Sequence, residues 1–357
     1  MASSIPTREV LIFGGAGFVG SNLAQHLLKQ THANVHLFDN LSRRKVEHNV
    51  QWLQKLAKGT GRLKVTVADV RDATAVAKAV YAASEIYHFA AQVAVTTSLD
   101  DPRADFEVNA GGTLNVLEAA RRSGNRPFIL FTSTNKVYGH LGTQLGSDGV
   151  SESQPLDFYS PYGCSKGTAD QYVHDYARTF GIPTVVFRMS CIAGPRQFGN
   201  EDQGWVAHFA YSALQRKALS IYGDGHQIRD VLAVQDLVRA FAAAYENCEK
   251  TAGHVYNIGG GKANTISLLE LIAMLERDLH VRLKYRFRPA RVGDQPIYVT
   301  DSTKFTQHTG WAPQKDVRTI VHDICAWYKQ NASLFEPTPF VLPGAKPQPD
   351  LLREIAS

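Results

Sequence analysis

The chain has 357 residues, 44% of them hydrophobic and 20% charged, enough for one large domain or for a domain with a smaller lobe. A formal net charge of +5 comes without a block of like charges, which argues against a nucleic-acid or membrane surface and suits a small anionic substrate. The scattered cysteines Cys164, Cys191, Cys248 and Cys325 lack metal-ligand spacing and point to a reduced cytoplasm; no apolar run is long enough for a membrane span, and residues 1 to 8 lack the apolar core of a signal peptide.

Glu9 to Phe13 reads as a short apolar strand, and it enters Gly14-Gly15-Ala16-Gly17-Phe18-Val19-Gly20 ahead of a helical stretch from Ser21 to Leu28. Strand, glycine turn and helix in that order make a phosphate cradle. Glycines let the backbone approach a pyrophosphate, which then meets the free amides and positive end of the helix. A second strand, Asn34 to Phe38, leads to Asp39, where an acid bonds the adenosine ribose hydroxyls and repels a 2′-phosphate. That favours NAD over NADP, although Arg43 and Arg44 follow and either receive a 2′-phosphate or sit on a solvated loop. Leu63 to Val67, Glu85 to Phe89 and Arg126 to Phe131 are further strands, with helix-length segments such as Ala73 to Ala82 between them. This alternation predicts an α/β fold, a Rossmann-type doubly wound parallel sheet that binds ligands past the carboxyl ends of its strands. Asp69-Val70 and Phe89-Ala90-Ala91-Gln92 lie at such ends, and the alanines either pack a helix or let a cofactor lie against the backbone.

Past the fifth strand comes Thr132-Ser133-Thr134-Asn135-Lys136-Val137-Tyr138-Gly139, a loop whose Thr134 hydroxyl bonds a substrate oxygen or merely caps a turn. Tyr162 and Lys166 follow on a helical segment, four residues apart and therefore on one face. An unperturbed phenol, with a pKa of about 10, is a poor base at neutral pH. The expectation is that the Lys166 ammonium lowers the Tyr162 pKa, so that a phenolate accepts a proton from a substrate hydroxyl. The same spacing occurs on ordinary solvated helix faces; its weight here comes from the cradle and the threonine loop that precede it.

After Pro195 the alternation stops, and a smaller C-terminal α/β substrate-binding lobe is predicted. The implied division is a Rossmann domain at 1–190, a lobe at 191–335 with some segments returning to the first domain, and a proline-rich tail at 336–357 that wraps the surface or is disordered. Gln203 to Leu214 has helical spacing, and Gly223-Asp224-Gly225 between Leu219 to Tyr222 and Ile228 to Leu232 reads as a tight hairpin. His254 to Ile258 with Gly259-Gly260-Gly261 is a strand and a turn, either a second phosphate loop or the lead into a helix from Ile266 to Leu279. Arg229 and Arg291 come from separate loops. Converging arginines clamp a diphosphate through forked, charge-assisted bonds, whereas most surface arginines are simply solvated. The histidines, His208 among them, lack metal spacing, and no metal is expected.

In order and spacing, GGAGFVG, DNLSR (Asp39 to Arg43), DVRD (Asp69 to Asp72), HFAAQ (His88 to Gln92), NAGGT (Asn109 to Thr113), the threonine loop, YGCSK and FRMSCIAGPRQFG resemble one family. It is the extended short-chain dehydrogenases/reductases, in the NAD-dependent nucleotide-sugar epimerase and dehydratase group, and the likeness spans about residues 8 to 330. The resemblance implies a catalytic triad of Thr134, Tyr162 and Lys166, the lysine also holding the nicotinamide ribose. It further implies NAD contacts from Gly14, Gly17, Phe18, Val19, Asp39, Asn40, Ser42, Arg43, Asp69, Val70, Phe89, Ala90, Ala91, Gln92, Asn109, Thr132 and Ser190. For a nucleotide-sugar substrate it implies Gln92, Thr134, Asn135, Cys191, Gln197, Val206 and Tyr222, with Arg229 and Arg291 on the diphosphate.

The 4,6-dehydratases of the group carry an Asp-Glu pair after the threonine, because eliminating water needs a second acid and base. Asn135-Lys136 cannot supply that chemistry, which disfavours dehydration. Met189-Ser190-Cys191 after Arg188 differs from the aromatic pair and asparagine of typical 4-epimerases. With STNKVYG and RQFGNEDQGWVAHF it resembles instead the epimerases that act at C2 of CDP-linked sugars, although Ala193 stands where both types carry tyrosine. The implied reaction is inversion through transient oxidation to a ketosugar. A UDP-hexose 4-epimerase with the same triad is the close alternative. A non-catalytic dinucleotide sensor is the alternative of another class, and retention of all three triad residues argues against it. Relatives pair through helices, here Pro102 to Ser123 and Tyr162 to Phe180, so a homodimer or homotetramer is expected.

Overall fold

Alternate residues of a strand face opposite sides of a sheet, and β1 (Glu9–Phe13) is buried on both: Val10 and Ile12 join one apolar cluster, Leu11 and Phe13 another. Such a strand needs helices above and below it. In the computed structural model, which describes residues 8–141 and 149–335, β1 lies inside a seven-stranded sheet whose pairings are all parallel. The expected proline-rich tail lies outside the described residues.

The first half runs from β1 through α1 (Phe18–Gln30), β2 (Asn34–Asp39), α2 (Val46–Ala57), β3 (Leu63–Val67), α3 (Ala73–Val80) and β4 (Glu85–His88). It continues with the short α4 (Val95–Asp100) and α5 (Pro102–Phe106), then α6 (Gly112–Ser123), β5 (Phe128–Thr134), α7 (Ser160–Phe180) and β6 (Thr184–Met189). The second half contains β7 (Cys191–Ala193), α8 (Trp205–Leu214), β8 (Leu219–Tyr222), β9 (Ile228–Ala233), α9 (Val234–Glu246), α10 (Cys248–Thr251) and β10 (His254–Ile258). It ends with β11 (Thr265–Ser267), α11 (Leu268–Leu279), β12 (Tyr285–Arg288), β13 (Ile297–Tyr298), α12 (Thr303–Thr309) and α13 (Val317–Gln330).

The strand order is β10-β6-β5-β4-β1-β2-β3, so the direction of winding reverses between β1 and β4. That reversal opens a crevice at the carboxyl edge of the sheet. Residues of α1, α2 and α9 cover one face, those of α3, α6 and α7 the other. A third cluster, built from α8, α11 and α13 against β8 and β9, is the core of the smaller lobe. Among the described residues no helix is long and apolar enough to cross a membrane.

Three local expectations are modified and one open alternative, the second below, is decided. First, β8 and β9 do not form a hairpin: β8 pairs in parallel with β12, while β9 pairs with β7, β11 and β13. Gly223 and Gly225, at φ +82 and +81, turn the chain from one small sheet into another. Second, the Gly259-Gly260-Gly261 turn is closed to a phosphate. A Cβ on Gly260 would lie 2.1 Å from the Val231 carbonyl, and the Gly261 amide already donates to Asp230 at 3.0 Å. Third, Pro102 to Ser123 is helical throughout but not uniformly α-helical: a π-helical turn at Glu107–Gly111, with helical backbone at both junctions, lies between α5 and α6 and carries Asn109. Fourth, β5 runs on through Thr134, which therefore stands at the end of a rigid strand rather than on a loop.

Candidate functional site

A cleft of about 970 Å³ opens where β1 and β4 diverge and extends to the smaller lobe. Its nucleotide end is built from backbone. Gly14, at φ +74, passes so close to β4 that a Cβ would fall 2.8 Å from the Ala90 amide nitrogen, and a Cβ on Gly20 would fall 2.4 Å from the Gly14 carbonyl oxygen. Gly17 caps α1 with no side-chain bond, and the first turn holds no acid, so the helix amides stay open to an anion. Asp39 ends β2 with one carboxylate oxygen accepting from the Ala16 amide at 3.0 Å and the other from the Leu41 amide at 2.9 Å. Burial raises its pKa, and those backbone bonds oppose the rise. Asn40 donates to Asp69 at 2.9 Å, which ties the ends of β2 and β3 together. Arg71, bonded twice to Asp69, holds that carboxyl well below its ordinary range. These residues fit a dinucleotide: a cradle that any Cβ would fill, and beyond it an acid at the strand tip.

Thr134, Tyr162 and Lys166 meet in the cleft from β5 and α7. Thr134 Oγ1 donates to Asn135 at 3.3 Å and accepts from the Lys136 amide at 3.2 Å, beside the Tyr162 phenol, and the Lys166 ammonium donates to the Thr132 carbonyl at 2.6 Å while lying 4.1 Å from the centre of the Phe131 ring. The expected depression of the tyrosine pKa by lysine is absent. Burial pushes Tyr162 up to about 12, opposed by Thr134 and Arg43, and pushes Lys166 down to about 7, opposed by Asp170 and Asp105. Desolvation disfavours both charged forms, and Lys166 is directed at a carbonyl rather than at the phenol.

The helix that carries the pair is braced on two sides. Asp170 accepts a forked bond from Arg188 on β6, at 2.9 and 2.8 Å. On the other side Ser165 donates to Asp105, and Asn109 donates to both Asp105 (3.1 Å) and Ser165 (3.0 Å). Asn109 does not line the cleft, contrary to its expected direct contact with the cofactor. It sits one layer beneath, where its amide exchanges hydrogen bonds with the Gln92 backbone at 2.9 and 3.1 Å. The other residues named from sequence for cofactor or substrate all border the cleft.

At the lobe end, Arg229 bonds Asp294 at 2.6 Å, and Arg291 lies 3.4 Å from Asp202 with its guanidinium 3.9 Å from the centre of the Tyr222 ring. Buried polar atoms without partners face this region: Arg291 Nε and Gln197 Oε1. Cys191 accepts from the Trp205 indole at 3.4 Å, and Asn135 donates to Gln295 at 3.2 Å. Sequence reasoning assigned no role to Lys136, Asp202, Asp294 or Gln295. Asp294 and Gln295 follow Arg291 closely in the sequence, but nothing local signals that their loop folds back onto the end of β5.

The family model described as GDP-mannose 4,6 dehydratase matches residues 11–324. The chain is 41% identical to CDP-paratose 2-epimerase of Salmonella typhi over 338 residues, 89% of this chain and 98% of that protein. Among solved structures it is similar to UDP-glucuronic acid 4-epimerase of Bacillus cereus in complex with UDP-glucuronic acid and NAD, with a TM-score of 0.81 and 29% identity over 90% of this chain and 99% of that one. It is similar also to DesIV, a dTDP-glucose 4,6-dehydratase of Streptomyces venezuelae solved with NAD, with a TM-score of 0.81 and 28% identity over 92% and 99% of the two chains. A reversed parallel sheet with a glycine cradle, a Thr-Tyr-Lys cluster at its carboxyl edge and these matches along nearly its whole length make the chain a member of the extended short-chain dehydrogenase/reductase family, among its nucleotide-sugar epimerases and dehydratases.

Proposed function

We propose that this enzyme is an NAD-dependent CDP-sugar 2-epimerase that interconverts CDP-paratose and CDP-tyvelose. The observation that carries the reading is the 41% identity to CDP-paratose 2-epimerase over 98% of that protein. Asn135 and Lys136 support it, since the positions after Thr134 hold no carboxylate pair for dehydration. Gly14, Gly17, Phe18 and Val19 would hold the cofactor pyrophosphate, Asp39 its adenosine ribose, and Tyr162 and Lys166 its nicotinamide ribose. Bound NAD supplies the hydride acceptor and, once reduced, the hydride donor, and in its oxidised form brings a positive charge into the cleft.

Tyr162 takes the proton of the C2 hydroxyl as that carbon is oxidised, leaving a ketone. Thr134 hydrogen-bonds the reacting oxygen and the phenol, and Lys166, held on the Thr132 carbonyl, would bind the nicotinamide ribose. Arg229 and Arg291 retain the diphosphate while the sugar turns, so that C2 regains its hydride on the opposite face while Tyr162 returns the proton to the carbonyl oxygen. The net result is inversion, with the cofactor regenerated. Binding energy from the non-reacting nucleotide holds the intermediate in place.

Free thiols at all four cysteines accord with action in the cytoplasm. A band of exposed apolar side chains, Leu114 on α6 with Tyr172 and Phe180 on α7, is the surface through which two copies would pair.

Proton NMR of the purified protein incubated with CDP-paratose, and separately with UDP-glucose, tests the reading. Inversion of the CDP sugar at C2 is expected. Conversion of the UDP sugar alone, at C4, would move the enzyme to the 4-epimerases, which several solved relatives represent.

A further inference from the structure

Lys136 is a buried cation of the cleft that neither the triad nor the arginine pair explains. It follows Thr134 by two residues, lines the cleft, and its side chain is only 20% exposed. Its ammonium has three N–H donors but finds two partners, the Gly293 carbonyl at 3.0 Å and Asp294 at 3.6 Å. The Asp294 oxygen it approaches, Oδ1, is the one that Arg229 bonds at 2.6 Å. One carboxylate thus serves two buried cations. Desolvation and the nearby Arg229 charge both push the Lys136 pKa down, so the site is electrostatically unsaturated without an anion. A lysine held here at that cost is accounted for by a ligand that brings negative charge.

We propose that Lys136 is a third cation of the diphosphate site, set on the sugar side of Arg229 and binding the phosphate next to the sugar. Its position follows from the chain. Thr134, two residues earlier on the chain, marks the reacting carbon and Arg229 the diphosphate; Lys136 lines the same cleft and shares the Asp294 carboxylate with Arg229. Asp294 holds the two cations apart until the phosphates take its place. A cation at that point fixes the pivot about which the keto sugar turns. The inference rests on the reading of the ligand as a nucleoside-diphosphate sugar, but not on which base it carries.

The test is calorimetric titration of the NAD-loaded protein with CDP, UDP, cytidine and uridine, in the unsubstituted chain and in Lys136→Met and Lys136→Gln. The glutamine, one bond shorter, keeps an uncharged N–H donor on the Gly293 side. Both variants should bind the preferred nucleoside diphosphate at least fivefold more weakly and the matching nucleoside unchanged, with NAD content retained. A smaller loss, an equal loss for nucleoside and diphosphate, or a K136Q variant that binds like the unsubstituted chain would reduce Lys136 to a structural tie and overturn the proposal. Preference for UDP over CDP would instead count against the CDP-sugar reading, and the Lys136 comparison would then be made on UDP and uridine. No binding of either diphosphate by the unsubstituted chain would overturn both.

Discussion

Tyr162 and Lys166 both sit in the cleft in forms that burial drives toward neutrality, and that sets two expectations. Tyr162→Phe removes the proposed proton acceptor and leaves the ring packing, so it should keep NAD bound while turnover falls by about 10²–10⁴-fold. Substantial activity in that variant would displace Tyr162 from its role. For Lys166 the sign is explicit: its folded pKa of about 7 lies below the ordinary 10.5 of an unfolded chain. Between those values the unfolded state binds more protons, so stability contributed by this site rises with pH across the window and is least below pH 7. In NAD-free protein, Lys166→Met should therefore raise the melting temperature more at pH 6 than at pH 9. An equal change at the two pH values would show that the lysine is not desolvated as described.

At the scale of elements, α7 carries two of the three triad residues, and its placement depends on polar ties rather than on apolar packing alone. Arg188 and Asp170 are each at most 5% exposed at the side chain, and Arg188 also donates to Tyr138, whose hydroxyl donates to Asn257 on β10. Asp170→Asn leaves a buried guanidinium without its counter-charge, which should cost about 3–5 kcal/mol in chemical denaturation. It also removes the leading charge that raises the Lys166 pKa. A cost below about 1 kcal/mol would mean that water replaces the carboxylate and that the tie is not structural. The π-helical turn at Glu107–Gly111 works on the same helix from the other side, aiming Asn109 at both Ser165 and the Gln92 backbone.

At the scale of the molecule, the cleft is shared between the sheet and a lobe tied to it by several polar bridges, among them Asn135 to Gln295 and Lys136 to the Gly293 carbonyl. Thr96 of α4 donates to Asp202 at 3.1 Å, and Arg291 approaches the same carboxylate. The outer face of α6 and α7 is exposed: Tyr172 is 47% and Phe180 39% exposed, joined through Tyr176 by tilted ring contacts along one helix. An apolar band of this kind is covered in most soluble assemblies. Light scattering should find a dimer or tetramer, and the double variant Tyr172→Glu, Phe180→Glu should be monomeric with its fold intact. A monomeric unsubstituted protein would remove that face as the pairing surface.

Local patterns in the sequence determined much of the nucleotide half. Alternation of five-residue apolar strands with amphipathic helices specified a doubly wound sheet. The glycines after β1 and the acid after β2 marked the cradle, because turn conformation and side-chain facing are properties of neighbouring residues. The Thr134, Tyr162 and Lys166 cluster was legible only as an ordered set of motifs, each weak alone. Tertiary structure decided what depends on segments far apart in the chain. It paired β8 with β12 instead of β9, set Asn109 beneath the cleft, and brought Asp294 to Arg229 across 65 residues and Gly293 to Lys136 across 157. It also reversed the expected tyrosine shift, since desolvation is set by everything packed around a group, and no local spacing encodes that.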